Sequence, residues 1–251
     1  MIVDAHVHLP VESGCVSLQQ KKERLLHEMA ANRVDKCIVI SDSCPQSVIG
    51  NMDECVELFK DTNQVDVVGG ISPFFEFETQ LEKIRNYLDQ KLIVGIKLFT
   101  GHEAFYLTDE RLKKVYGLAI RYHVPVLFHS GGSAMQYSDA ALVSELAKEY
   151  PELKLVCCHC FYPKIEKCRA LVNLKNVFFD LSSIADDTQN RLNILKMIRE
   201  MADIVPERVL FGSDYACCGQ RAHIEFVKEL HLEKRTESLI FERNAKRVYL
   251  L

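Results

Sequence analysis

Four short stretches carry residue types able to hold a metal ion: Asp4-Ala5-His6-Val7-His8, Phe128-His129, Cys158-His159 and Gly212-Ser213-Asp214. Each follows a short apolar, β-branched run. In His6-Val7-His8 the spacing of two puts both imidazoles on one face of a strand, within reach of one ion, and Asp4 is expected on that face too. His129 and His159 end two further runs. Four histidines at three strand ends are hard to explain as separate core residues, because a buried cluster without a cation leaves ring nitrogens unpaired. Asp214 leaves the apolar Val209-Leu210-Phe211, where a carboxylate is costly unless paired or metal-bound. It could instead cap a following helix. Lys97, inside Val94-Gly95-Ile96-Lys97-Leu98, needs a partner or loses its proton.

Imidazole and carboxylate suit zinc first, with manganese and iron as alternatives. Such an ion lowers the pKa of its water from 15.7 to about 7. The expected chemistry is hydrolysis of a small amide, lactone or ester by a metal-activated water. Asp214 would move the proton, and His159 would help to stabilise the oxyanion. His102, in the Thr100-Gly101-His102-Glu103 loop, is a candidate substrate contact. Ser130-Gly131-Gly132, Tyr162 and Tyr215 should also overhang the pocket.

These residues need elements that bring distant positions together. Strand-like runs cover Ile2 to His8, Val34 to Ser41, Val65 to Ser72, Ile93 to Phe99, Val124 to His129, Leu153 to His159, Val177 to Leu181 and Arg208 to Ser213. Amphipathic helical stretches alternate with them, including Leu18 to Asn32, Met52 to Asp61, Phe77 to Gln90, Asp109 to His123, Asp139 to Tyr150 and Asp187 to Met201. Thr108 or Asp109 can cap the fourth. Such alternation predicts parallel βαβ units. Eight repeats predict a (β/α)8 TIM barrel, whose C-terminal strand ends form one pocket. Thr236 to Leu251 is expected to add a C-terminal helix. A flavodoxin-like open sheet is the other arrangement compatible with the alternation.

The length, 251 residues, matches one such barrel of about 250, so a single domain over residues 1–251 is expected. The net charge of -4 comes without a basic stripe, which gives no support for nucleic-acid binding. Ten cysteines lie mostly in apolar runs, where the reduced side chain acts as a small hydrophobe, and so large a chain needs no disulfide scaffold. A cytoplasmic protein is expected, without a cleaved leader, because the first strand carries His6 and His8. No apolar run approaches the ~20 residues that span a bilayer. The expected partner is a small-molecule substrate, with no nucleic acid and no membrane; a homo-oligomer is compatible.

The chain resembles the amidohydrolase superfamily, in particular the amidohydrolase-related group that also includes decarboxylases. The resemblance rests on an ordered set over almost the full length. It comprises Val3-Asp4-Ala5-His6-Val7-His8, Val94-Gly95-Ile96-Lys97-Leu98, Val124-Pro125-Val126-Leu127-Phe128-His129-Ser130-Gly131-Gly132, Tyr150-Pro151-Glu152-Leu153-Lys154-Leu155-Val156 leading to His159, Arg208-Val209-Leu210-Phe211-Gly212-Ser213-Asp214-Tyr215, and Asn244-Ala245-Lys246-Arg247. It implies a distorted barrel in which His6, His8, His129 and Asp214 hold a divalent ion, with His159 near the ion or its water. It also implies one or two ions, the second bridged by a carboxylated Lys97.

Two departures stand out. Cys160-Phe161-Tyr162 replaces the usual glycines and is expected at the pocket mouth, and Ala216-Cys217-Cys218 replaces a proline after Asp214. His159-Cys160-Phe161 is also similar to TatD-type metal-dependent nucleases, but those carry an acidic residue where Lys97 stands and Glu-Thr-Asp where Gly212-Ser213-Asp214 stands. The alternatives to a hydrolase are therefore a non-oxidative decarboxylase and, behind it, a TatD-type nuclease. A structural zinc site built on Cys157, Cys158, His159 and Cys160 is disfavoured, because the adjacent cysteines on the strand face opposite ways.

Overall fold

The computed structural model describes residues 1–11 and 17–251. Eight parallel strands follow one another around a TIM barrel: β1 (Val3–Val7), β2 (Lys36–Ile40), β3 (Val65–Ile71), β4 (Ile96–Leu98), β5 (Val126–His129), β6 (Leu155–Cys158), β7 (Val177–Asp180) and β8 (Val209–Leu210). Outside them lie α1 (Leu18–Asn32), α2 (Met52–Phe59), α3 (Phe77–Asp89), α4 (Lys113–Tyr122), α5 (Ala140–Glu149), α6 (Arg191–Ile204) and α7 (Gln220–Glu229). Asp109, one of two expected caps, accepts from the Arg111 amide ahead of α4. No helix among the described residues is long and apolar enough to cross a membrane.

The alternation of side chains sorts each strand into an inner and an outer layer. Inside, Val3, Ala5, Ile38, Ile40, Val68, Leu127, Val156 and Leu210 fill the barrel. Outside, Cys37, Val39, Val67, Ile96, Leu98, Phe128 and Phe179 pack under the helices. The next inward positions toward the C-terminal ends are Lys97, His129, Cys158 and Asp180, so the period of two that fills the core also delivers the polar residues. Cys157 and Cys158 do face opposite layers.

Three elements differ from expectation. No α-helix joins β6 to β7; a 3-10 stretch, Ile165–Leu171, takes its place. Helix α7 was not marked by periodicity because two of its five buried positions are polar, Gln220 and His223. The expected tail helix is broken into α8 (Lys234–Ser238), a π-helical turn (Leu239–Arg243) and α9 (Asn244–Tyr249). The break lets the tail close the bottom of the barrel. Ala245, Val248 and Tyr249 join the inner core, and the Asn244 side-chain amide donates to Pro206 O and Val209 O, both at 2.8 Å. Strand β8 is short because the Phe211 N–H turns to Ile240 O in this tail.

The seam between β8 and β1 is closed by Ala5 N to Phe211 O (2.9 Å), Asp214 N to His6 O (2.8 Å) and His8 N to Tyr215 O (2.8 Å). Strand β1 shifts register between Asp4 and Val7. That irregularity corrects one expectation: Asp4 does not share a face with His6 and His8. Ala5 and His6 both turn inward, as at a β-bulge, while Asp4 turns out to hold the seam. Its carboxylate accepts from Ser213 N (2.9 Å), Ser213 Oγ (2.6 Å) and Gln220 Nε2 (3.0 Å). Burial pushes its pKa up to about 7, against the pull of the Ser213 donors. Removing this acceptor strands several buried donors, each worth about 1–3 kcal/mol. Asp4→Ala should therefore lower unfolding stability by about 3 kcal/mol or more, read from the urea midpoint; a loss within experimental scatter would show that the seam does not rely on Asp4.

Candidate active site

The cavity at the C-terminal end of the barrel has a volume of about 950 Å³ and is lined by His6, His8, Lys97, His102, His129, His159 and Asp214 among others. At its floor His6, His8 and Asp214 bring one ligand atom each within 4.8 Å of one another, all three residues buried. Asp214 Oδ1 lies 3.5 Å from His6 Nε2 and 3.4 Å from His8 Nε2. The protons of both imidazoles are assigned by what stands behind them. His6 Nδ1 meets the Asp180 carboxylate at 2.5 Å, and His8 Nδ1 meets the Ile40 carbonyl at 2.9 Å. Both partners only accept, so each Nδ1 carries the proton and each Nε2 presents a lone pair. Two lone pairs thus face a carboxylate oxygen. His6 Nε2 is fully buried and makes no hydrogen bond. Three electron-rich atoms converging without a donor fit a divalent cation, and a carboxylate behind a ligating histidine is the usual support for one.

Local backbone aims these groups. Asp214 sits in the left-handed region at φ 63, and His159, Cys160 and Phe161 do so in succession at φ 62, 47 and 59. Such conformations cost non-glycine residues about 1–3 kcal/mol each and cluster where function overrides local preference. The sharp turn lets His159 point into the cavity although Cys158, its neighbour, already points inward. Ser183 Oγ donates to Asp214 Oδ2, leaving Oδ1 for the histidines. Gly212 is required by close approach: a Cβ there would stand 2.2 Å from Asp180 Oδ1 and 2.9 Å from His6 Cβ.

Asp180 escaped the reading of the sequence. It ends the apolar run Val177-Phe178-Phe179 as Asp214 ends its own, and that signal could have found it. It also orders Ser182, whose Oγ donates to Asp180 Oδ2 at 3.0 Å and lies 2.8 Å from His159 Nδ1. With the serine proton directed at Asp180, His159 Nδ1 donates to Ser182, and its Nε2 is bare as well.

Burial drives the histidines below their ordinary range, so they stay neutral. This holds for His6 despite Asp180, for His159, lowered to about 3, and for His129, where His159 and Lys97 add to the burial. His129 joins the group through its ring contacts, 4.8 Å from His159 and 4.2 Å from His102 between centroids. Lys97 is 1% exposed; its Nζ donates to Cys158 Sγ at 3.0 Å and lies 5.4 Å from the Phe99 ring centre.

The other expected contacts divide. His102, Gly131, Gly132, Tyr162 and Cys217 line the cavity, with the Tyr162 hydroxyl donating to Asp187 at 2.8 Å. Tyr215 does not: its main chain pairs with Val7, and its ring is packed in the outer layer. Cys160 and Phe161 are likewise buried there, because the left-handed turn folds them under the barrel rim. Ser130 is fully buried and donates to Cys158 O at 2.6 Å. Cys218 Sγ contacts Ser183 Oγ at 3.7 Å.

No curated protein matches the sequence. Similar solved structures share the fold across nearly the whole of both chains. An uncharacterised TIM-barrel protein from Bordetella bronchiseptica is 19% identical, with TM-score 0.79 and coverage of 98% of this chain and 97% of that one. A protein from Acinetobacter baumannii described as a probable 2-pyrone-4,6-dicarboxylic acid hydrolase, with citric acid bound, is 13% identical, with TM-score 0.73 and coverage of 100% and 99%. A dihydroxybenzoic acid decarboxylase from Polaromonas sp. JS666, with manganese and 2-nitroresorcinol bound, is 12% identical, with TM-score 0.69 and coverage of 100% and 97%. At these identities the likeness is one of fold. The amidohydrolase family model, by contrast, matches residues 3–251, so the chain belongs to the amidohydrolase family and is an enzyme.

Proposed function

We propose that the protein is a metal-dependent hydrolase acting on a small amide, lactone or ester. One observation carries the reading: two imidazoles with their Nε2 lone pairs turned toward the carboxylate of Asp214 on the floor of an open cavity. His6, His8 and Asp214 would hold a divalent cation, with His129 nearby, and the nitrogen-rich set favours zinc over manganese or iron. Such a cation makes water acidic near neutral pH and polarises a carbonyl. Asp214, a carboxylate on the cavity floor beside both imidazoles, is placed to accept a proton from water and return it to the leaving group. His159 has its Nδ1 proton on Ser182, so we assign its bare Nε2 to accept from the attacking water and orient it, in place of the oxyanion role expected from sequence. A single ion is the simpler loading, because Lys97 is engaged by Cys158. The nine described cysteines are unpaired, which supports a reducing, cytoplasmic setting.

A second reading, non-oxidative decarboxylation, draws on the aromatic wall of Phe74, Phe75 and Phe99, which would accept a planar aromatic acid. Carbon dioxide release separates the two.

Asp214→Asn should reduce turnover by about 10²–10⁴-fold or more with circular dichroism unchanged; near-normal turnover would remove Asp214 from the chemistry. Asp180→Asn, and Gly212→Ala by displacing Asp180, should weaken zinc binding by about 10–100-fold in competition with a chromogenic chelator, and equal affinity would deny Asp180 its supporting role. Metal analysis of the purified protein should return one ion per chain, lost with activity on chelation; two ions would instead point to a carboxylated Lys97.

A further inference from the structure

The upper wall of the cavity differs in charge from its floor. Asp42, beyond β2, and Glu103, beyond β4, both line it, together with Ser43 and the rings of Phe74, Phe75 and Phe99. Among the described residues, every hydrogen-bond partner of the two carboxylates is a neutral donor. Ser43 Oγ donates to Glu103 Oε1 at 2.6 Å, and Ser72 Oγ donates to Oε2. Asp42 accepts from Cys44 N at 3.1 Å, from Ser47 Oγ at 2.6 Å and from Ser43 Oγ at 3.5 Å. Among the described residues, no lysine or arginine ion pair reaches either one. Among the described residues, Lys97 is the one lysine or arginine lining the cavity, and it lies on the floor against Cys158. Arg111 stands over Phe74, 5.1 Å from its centre, but is committed to Asp109 at 2.6 Å and does not line the cavity.

Half-buried carboxylates held open by hydroxyls, without a counter-cation, favour a ligand that brings one. Aromatic faces beside them attract the same kind of group, since ring quadrupoles draw cations. A second carboxylate on the substrate would instead meet like charge there, which is strongly disfavoured when desolvated. That the chamber takes a ligand does not rest on these carboxylates: its floor is the candidate metal site, where His6 Nε2 is fully buried and bare.

We propose that the substrate carries a cationic nitrogen, an ammonium or amidinium group, at the end remote from the bond that reacts, received by Asp42 and Glu103 against the three phenylalanines. This rests on the hydrolase reading for the identity of the reacting bond, but not for the charge of the remote group.

The test uses the zinc-loaded protein and p-nitrophenyl esters of six- and eight-carbon acids ending in ammonium, methyl or carboxylate. The expected order of kcat/KM is ammonium, methyl, carboxylate, with about tenfold or more between the extremes. Glu103→Gln and Asp42→Asn should each compress that ratio; the second covers the case in which loss of the Glu103 ties prevents folding. In parallel, calorimetry measures binding of 6-aminohexanoate, hexanoate and adipate, which needs no turnover. Turnover with equal or reversed preference keeps the hydrolase and overturns the cationic substrate. No turnover, with 6-aminohexanoate binding tightest, overturns ester hydrolysis and keeps the charge assignment. Tightest binding of adipate overturns the charge assignment whatever the kinetics.

Discussion

The bond from His6 Nδ1 to Asp180 decides what the site can be. A neutral imidazole has one proton, and an acceptor behind one nitrogen forces the lone pair onto the other. Asp180, itself fully buried, does this for His6, and the Ile40 carbonyl does it for His8. The lone pairs then point at Asp214, an arrangement that is repulsive until a cation lies between them. Everything above the floor of the cavity inherits this requirement: Ser182 and Ser183 complete the shells of Asp180 and Asp214, and Gly212 leaves room for the Asp180 carboxylate.

The fold meets the cost of that repulsion by cooperation across the β1–β8 seam. Asp4 faces away from the site, yet it binds Ser213, the neighbour of Asp214, and ties helix α7 through Gln220. The register shift in β1 separates the two duties of one strand, with Asp4 outward to brace and His6 and His8 inward to ligate. Left-handed backbone at Asp214 and at His159 adds local strain, which is sustained because both residues are buried where the seam and the barrel rim pack around them. The tail contributes from below: α9 plugs the barrel and Asn244 anchors β8, so the short final strand can bend toward the site.

Charge then grades the cavity. Bare imidazoles, one anionic ligand and Lys97 occupy the floor, while Asp42, Glu103 and phenylalanine rings form the upper wall. A substrate must suit both ends, and the two ends ask for different chemistry.

Much of this was legible in the linear chain. Short continuous apolar runs marked eight strands, because inner and outer layers of a barrel are both buried; and a histidine or aspartate at the end of such a run, as at His6, His129, His159 and Asp214, stands out because burial makes it costly. What only the tertiary structure decided is orientation. Whether Asp4 turned in or out depended on a bulge set by pairing with β2. Tyr215, Cys160 and Phe161 were withdrawn from the pocket by left-handed turns that no local propensity announces. The proton positions on His6, His8 and His159 came from partners as far away as residue 180, and the uncompensated state of Asp42 and Glu103 depended on which loops met them. Residue type determines what chemistry is affordable, whereas the direction of a lone pair or a carboxylate is set by long-range contacts that exist only once the barrel has closed.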